Sequence, residues 1–235
     1  MGLFLSLSSV INKSEKDVAE ALKRYLKTID GDLEPAAVDN NHRNFCAIQT
    51  ESGNTTIVYP PYFFNWRECS VFLSKKLRAP VFLLEIYDGD FWTYTLFFDG
   101  QIKDQFMPIP DYFSEDLSDE EIDNWKGDAK ILTTYVPGLL EESIEKYLVR
   151  WDLDQEEAKA YEDDEFTNCE YQLFDFMRKL KLPYHVDHDN NDNPEGTAYL
   201  FWSKEFPLET IETKPIYTSK PQSDLPKQKA WWKFW

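Results

Sequence analysis

The run from Val81 to Met107, VFLLEIYDGDFWTYTLFFDGQIKDQFM, leaves its part of the chain little choice of structure. Asp88-Gly89 and Asp99-Gly100 each interrupt β-branched and aromatic residues. Asp-Gly suits a tight hairpin because both central residues of a type I′ turn need positive φ, which Gly adopts without steric penalty and Asp tolerates. The run therefore predicts three antiparallel strands joined by two turns. With two residues in each turn, Ile86 faces Phe91, Leu84 faces Thr93, Phe82 faces Thr95 and Phe97 faces Ile102, and this is the core face. The other face pairs Glu85 with Trp92, Leu83 with Tyr94 and Leu96 with Lys103. A shift of one residue would exchange the two faces. The mixed face has two readings. Helices from the second half cover it, or Trp92 and Tyr94 stand exposed as anchors for a partner, since Trp and Tyr recur at binding hot spots. The first is favoured, because large apolar patches are seldom left bare on soluble monomers. Pro108 and Pro110 end the ladder, having no N–H to donate.

Upstream, Gly2 to Val10 reads as a strand. Ser14 caps a helix from Glu15 to Ile29, with Val18, Ala21, Leu22, Tyr25 and Leu26 at helical spacing, and Asp30-Gly31 stops it. Leu33 to Arg43 reads as a loop. Strands at Asn44–Thr50 and Asn54–Tyr59 meet at Ser52-Gly53, and Asn65 caps a helix to Leu77 with Cys69 and Leu73 inward. The order strand, helix, strand, strand, helix, strand is that of the split βαβ, ferredoxin-like folds, with the meander extending the sheet past its fourth strand.

After Pro110 the pattern turns helical. Ser118 with Glu121 three residues on is a capping-box signature, closed by Gly127. Further helices are predicted over 128–135, 140–149 and 154–161. The clearest spans Glu170–Lys181, with Leu173, Phe174, Phe176, Met177 and Leu180 in one stripe. Thr197–Trp202 reads as a short strand. From Phe206 onward Pro207, Pro215, Pro221 and Pro226 punctuate a polar stretch that runs to Trp231-Trp232-Lys233-Phe234-Trp235. The chain is thus expected to be α+β and mainly antiparallel. It divides into a sheet-and-helix part over 1–110, an acidic helical part over 111–205 packed on it, and a Pro-rich linker with an aromatic tail over 206–235.

Charge narrows the partners. The chain carries a net charge of −18, and from Asp111 to Glu170 there are 20 acidic residues against 5 basic ones. Such a segment repels the phosphates of nucleic acids and of anionic lipids, which speaks against both as partners. It attracts a basic protein and speeds its encounter. In that reading Glu120, Glu121, Asp163 and Asp164 supply charge, while Trp92 and Tyr94 supply an anchor, in the manner of bacterial immunity proteins that neutralise secreted toxins. Trp231, Trp232, Phe234 and Trp235 form a second candidate. They fold back onto the body, or they hook a neighbouring subunit and drive self-association.

Catalytic signals are sparse. Cys46, Cys69 and Cys169 form no CxxC pair, which fits a reducing cytoplasm rather than a disulfide framework. There is no GxSxG, no Walker loop and no GxGxxG. The run His185 to Asn193 is dense in possible ligands but lacks the central Gly and terminal acid of a calcium loop, and reads as an Asx-rich turn. No metal and no cofactor are expected. The rival class is an enzyme acting on a small molecule in a carboxylate-lined cleft between the two parts.

Four stretches carry a resemblance: Gly2-Leu-Phe-Leu-Ser-Leu-Ser-Ser9, Tyr147-Leu-Val-Arg-Trp-Asp152, Asp164-Glu-Phe166 and Leu173-Phe-Asp-Phe-Met-Arg-Lys-Leu180. Together they resemble a family of uncharacterised bacterial proteins, up to about Leu182. The resemblance implies a bacterial cytoplasmic origin and brings no activity, cofactor or site residue with it.

Overall fold

The computed structural model describes residues 3–36, 44–114, 116–151, 169–187 and 193–208. The helix expected over 154–161 lies outside them, as do Asp163, Asp164 and all four aromatics of the tail. Among the described residues the strands are β1 (Leu5–Val10), β2 (Asp32–Pro35), β3 (Phe45–Glu51), β4 (Asn54–Val58), β5 (Val81–Tyr87), β6 (Phe91–Phe98), β7 (Gln101–Phe106), β8 (Val186–Asp187), β9 (Asn193–Pro194) and β10 (Thr197–Trp202). The α-helices described are α1 (Glu15–Thr28), α2 (Trp66–Leu77), α3 (Asp119–Asp123), α4 (Ala129–Tyr135) and α5 (Cys169–Lys179).

The protein is α+β, built on one eight-stranded antiparallel sheet of order β2-β10-β3-β4-β1-β5-β6-β7, with β8 and β9 paired separately. Its centre, β3-β4-β1-β5, is the split βαβ arrangement expected from the element order, and β6 and β7 extend it as the meander requires. The other edge is less legible. The stretch expected as loop, from Leu33, holds most of β2, which among the described residues pairs with β10 alone, and β10 slips between β2 and β3. Leu33 is drawn into β2 because its side chain is buried opposite Phe201.

Local signals account for most elements. Ser14 accepts the Asp17 amide at the start of α1, and the buried positions of α1 are Val18, Ala21, Leu22, Tyr25 and Leu26, as the periodicity requires. Ser118 and Glu121 form the full capping box of α3. Asp128 caps α4 through the amides of Lys130 and Ile131. The stretch 140–149 is not an α-helix but two 3-10 turns, Glu141–Ser143 and Glu145–Tyr147. Its buried residues there, Ile144 and Tyr147, lie three apart, a spacing that matches three residues per turn.

The first hairpin departs from expectation. Tyr87 pairs with Phe91 and Ile86 with Trp92, so the loop holds Asp88, Gly89 and Asp90. Asp88 and Gly89 do take positive φ (49° and 74°) and the Asp90 amide donates to the Tyr87 carbonyl, but Asp90 is one residue more than the tightest turn needs. The register shifts by one, and the faces exchange. Trp92, Tyr94 and Leu96 join Phe82, Leu84 and Ile86 on one face. The second turn is as expected, with Phe97 opposite Ile102, until a bulge between Leu96 and Phe97 sets Leu96 opposite Asp104.

Helices cover both faces of the sheet. On one, α1 and α2 pack over Val10, Ile48, Ile57 and Val81. On the other, α4 and α5 close over Leu7, Leu84, Trp92, Tyr94 and Phe106 with Leu132, Phe176 and Met177. Two polar side chains of α5 serve this second core. Gln172 Oε1 accepts the Trp92 indole N–H at 3.3 Å, and Asp175 accepts the Tyr147 hydroxyl and the Arg178 guanidinium. These bonds satisfy polar atoms that would otherwise be stranded away from water.

Candidate functional site

Trp92 and Tyr94 have no exposed surface. Trp92 packs against Phe106 and Phe176, each ring 5.0 Å away centre to centre, and Tyr94 stacks on Phe176 at 5.4 Å. The expectation of an exposed platform gives way to its alternative: α5 covers this face, and the two residues are core. Glu120 and Glu121 lie exposed on α3. The Glu121 carboxylate is held by the Ser118 amide and hydroxyl, which keep its pKa low.

Exposed Phe4 and Tyr112 instead gather with half-buried Tyr87 and Phe113 over the buried ring of Phe91, where β1 enters the sheet and β5 turns into β6. Tyr87 and Phe91, the last pair of that hairpin, stack at 5.6 Å. Phe4 sets its edge against Tyr87 at 5.2 Å, and Tyr112 sets its edge against Phe91 at 4.9 Å. Phe113 closes on Tyr87 at 4.9 Å. Phe4 is 59% exposed and Tyr112 40%. The Gly89 amide donates to the Leu3 carbonyl, tying the lead-in of β1 to the hairpin tip. Pro110 opens the 3-10 turn, Pro110–Phe113, that presents Tyr112.

This rim is acidic. Asp88 and Asp90 are exposed at the tip, and Asp111 follows beside it, bridged to Arg150 at 3.0 Å. Tyr112 donates its hydroxyl to Asp90 at 2.5 Å, and that bond, more than burial, pushes its pKa up to about 12. Tyr87 is also raised, by burial first and then by Asp88 and Asp90. Trp125, just beyond α3, packs with Phe91, Met107 and Ile109. The surface thus offers ring faces and edges in a negative field, which suits lysine and arginine side chains through cation–π contact and ion pairing. Sequence reasoning missed Phe4 and Tyr112. The signal lay in aromatic residues flanking both the Asp-Gly-Asp loop and Pro110.

A second exposed pair, Tyr62 (65%) and Phe64 (61%), follows the Pro60-Pro61 break at the end of the sheet where β4 leaves and β1 enters. Beside it Tyr25 donates to the Asn65 carbonyl, and burial, Cys69, Glu68 and Glu205 raise its pKa. Glu68 and Glu205 are exposed there.

Cys46 and Cys69 are wholly buried, and burial raises both thiols, Cys69 to about 12, far from a reactive thiolate. Tyr94 donates to Asp104 Oδ2 at 2.5 Å, which also receives the Asp128 amide at 3.1 Å; burial raises Asp104. A recess of about 100 Å³ lies between the turn at Asn12, the turn at Ser52 and the end of α5. Its lining includes Lys179 and Lys181 and no carboxylate. His185, which opens the Asx-rich run, pairs with Glu51 at 2.8 Å, while residues 188–192 lie outside the described part. Among the described residues no helix is long and apolar enough to cross a membrane, and no group of three or more His, Cys, Asp or Glu could hold a metal ion.

Glu85 is the most perturbed carboxylate of the α2 face. Burial pushes it up to about 7, against the opposing pull of Arg67 and the Trp66 indole. The folded chain therefore binds a proton at Glu85 more tightly than the unfolded chain does. That contribution favours folding below the ordinary value of 4.5 and is lost as pH rises towards about 7. Glu85→Gln is expected to flatten the fall in stability between those two pH values relative to the natural chain. Parallel denaturant curves across that range would count against this placement of Glu85.

Comparison of the chain with profiles of protein families, with curated proteins and with solved structures finds no match.

Proposed function

We propose that the protein is a non-enzymatic interaction module whose acidic aromatic rim captures a basic protein, in the manner of an immunity protein. The observation that carries this reading is the coincidence of half-exposed rings, Phe4 and Tyr112, with Asp88, Asp90 and Asp111 at one edge of a chain of net charge −18. Charge speeds the encounter, and the rings supply the desolvated contact that slows release. Tyr112 is held in place by its bond to Asp90, so less side-chain freedom is lost when a partner docks.

The test is capture from native lysate with the natural chain and with Phe4→Ala/Tyr112→Ala in parallel. Proteins retained by the natural chain are expected to be markedly basic, to be released as salt rises towards about 0.5 M, where the Debye length shrinks to a few ångströms, and to be lost at least tenfold with the variant. Retained proteins no more basic than the lysate background, or equal retention by the variant, would refute the proposal.

A further inference from the structure

We propose that the Tyr62–Phe64 shelf is the docking site of the chain's own Lys227–Trp235 segment. Three observations converge on it. First, the described chain leaves the sheet at this shelf. Phe206 packs against Phe63 at 6.2 Å, and Asn44 Nδ2 donates to the Pro207 carbonyl at 3.1 Å. The chain therefore departs two residues after a ring that packs on Phe63, and Phe63 is flanked in sequence by Tyr62 and Phe64, the two most exposed aromatic rings among the described residues. Second, the length suits. The residues between Leu208 and Lys227 reach on the order of 25 Å as a flexible chain, ample for a site next to their point of departure. Third, the chemistry is complementary. Residues 213–235 carry five lysines and a single aspartate in a chain of net charge −18. Lys227, Lys229 and Lys233 interleave with Trp231, Trp232, Phe234 and Trp235, against a shelf of Tyr62 and Phe64 beside Glu68 and Glu205.

A tethered ligand of this kind acts at a millimolar effective concentration, so modest contacts keep the shelf occupied. Occupation also shields four large aromatic side chains from water. The inference does not need a basic partner, since its shelf shares no residue with the rim of Phe4 and Tyr112.

The test uses a labelled peptide of the sequence Lys227–Trp235 and three full-length chains: the natural one; one with Trp231→Ala, Trp232→Ala, Phe234→Ala and Trp235→Ala; and that variant with Tyr62→Ala and Phe64→Ala added. The peptide is expected to bind the second chain, and at least tenfold more weakly the natural chain, whose own segment competes. It should bind the third at least tenfold more weakly than the second. Tyr62 and Phe64 are exposed, so the third chain is expected to keep its circular dichroism and melting transition. Equal binding to the first two chains, unchanged binding to the third, or no binding at all overturns the proposal. So does a concentration-dependent dimer of the natural chain that vanishes in the second, which would place the segment on a neighbouring copy. Loss of lysate capture in Phe4→Ala/Tyr112→Ala with peptide binding intact would separate the fate of the rim from that of the shelf.

Discussion

Replacing Trp92 by alanine is expected to cost about 3–5 kcal/mol of folding stability, the range for removing a large aromatic side chain from a packed core. Trp92 is wholly buried, rests on Phe106 and Phe176, and gives its N–H to Gln172. The variant leaves a cavity beneath α5 and an unpaired side-chain oxygen. Denaturant titration should show a large drop in midpoint with little change in slope. Phe4→Ala is the control. Phe4 is 59% exposed, and its loss should stay within about 0.5 kcal/mol, as for most surface changes. Equal costs for the two variants would mean that the faces of β6 are assigned the wrong way round.

Gly31→Ala is the second change with a large expected effect, about 1–3 kcal/mol, as for overpacking a filled site. The reason is not backbone conformation, for the residue with positive φ at the end of α1 is Asp30, at 54°. Gly31 instead lies under β10. A Cβ there would run into the Trp202 carbonyl oxygen and sit 2.8 Å from Ser203 Cα, both main-chain atoms that cannot swing aside. Asp30→Gly should be neutral or slightly stabilising, since Gly relieves the left-handed residue. Hydrogen exchange should show the damage of Gly31→Ala concentrated in the amides of β2 and β10. Exchange unchanged there would mean that the close approach of the two segments is not real.

These two sites also show what could be read from the sequence and what could not. Helical spacing in α1 and the capping box at Ser118 depend on neighbours within a turn, and both appear as expected. The Asp88-Gly89 turn was legible as a turn, but the same dipeptide fits a loop of two residues or of three, and the choice decides which side of β6 is buried. The alternation of β6 held the answer: Trp92, Tyr94 and Leu96 are larger and more apolar than Thr93 and Thr95, and Phe82, Leu84 and Ile86 match them across the strand pair. Weighing burial above turn length would have placed Trp92 inside. β2 is a different case. Its four residues include Pro35 and only one buried apolar side chain, Leu33, so nothing local marks it as a strand. A partner more than 160 positions away decides it, as with Phe201 opposite Leu33. The acidic rim was invisible for a similar reason, since it draws Phe4, Tyr87 and Tyr112 from three separate stretches of sequence.

The late arrival of β10 sets a timetable for biosynthesis. A ribosome that has translated β2 has made a strand with nothing to hold it, and β3 shows a bare flank until about 150 further residues have emerged. Closing so long a loop is slow, and an open flank invites pairing with other nascent chains. Translation stalled anywhere between β7 and β10 should therefore leave a sticky intermediate that needs chaperones.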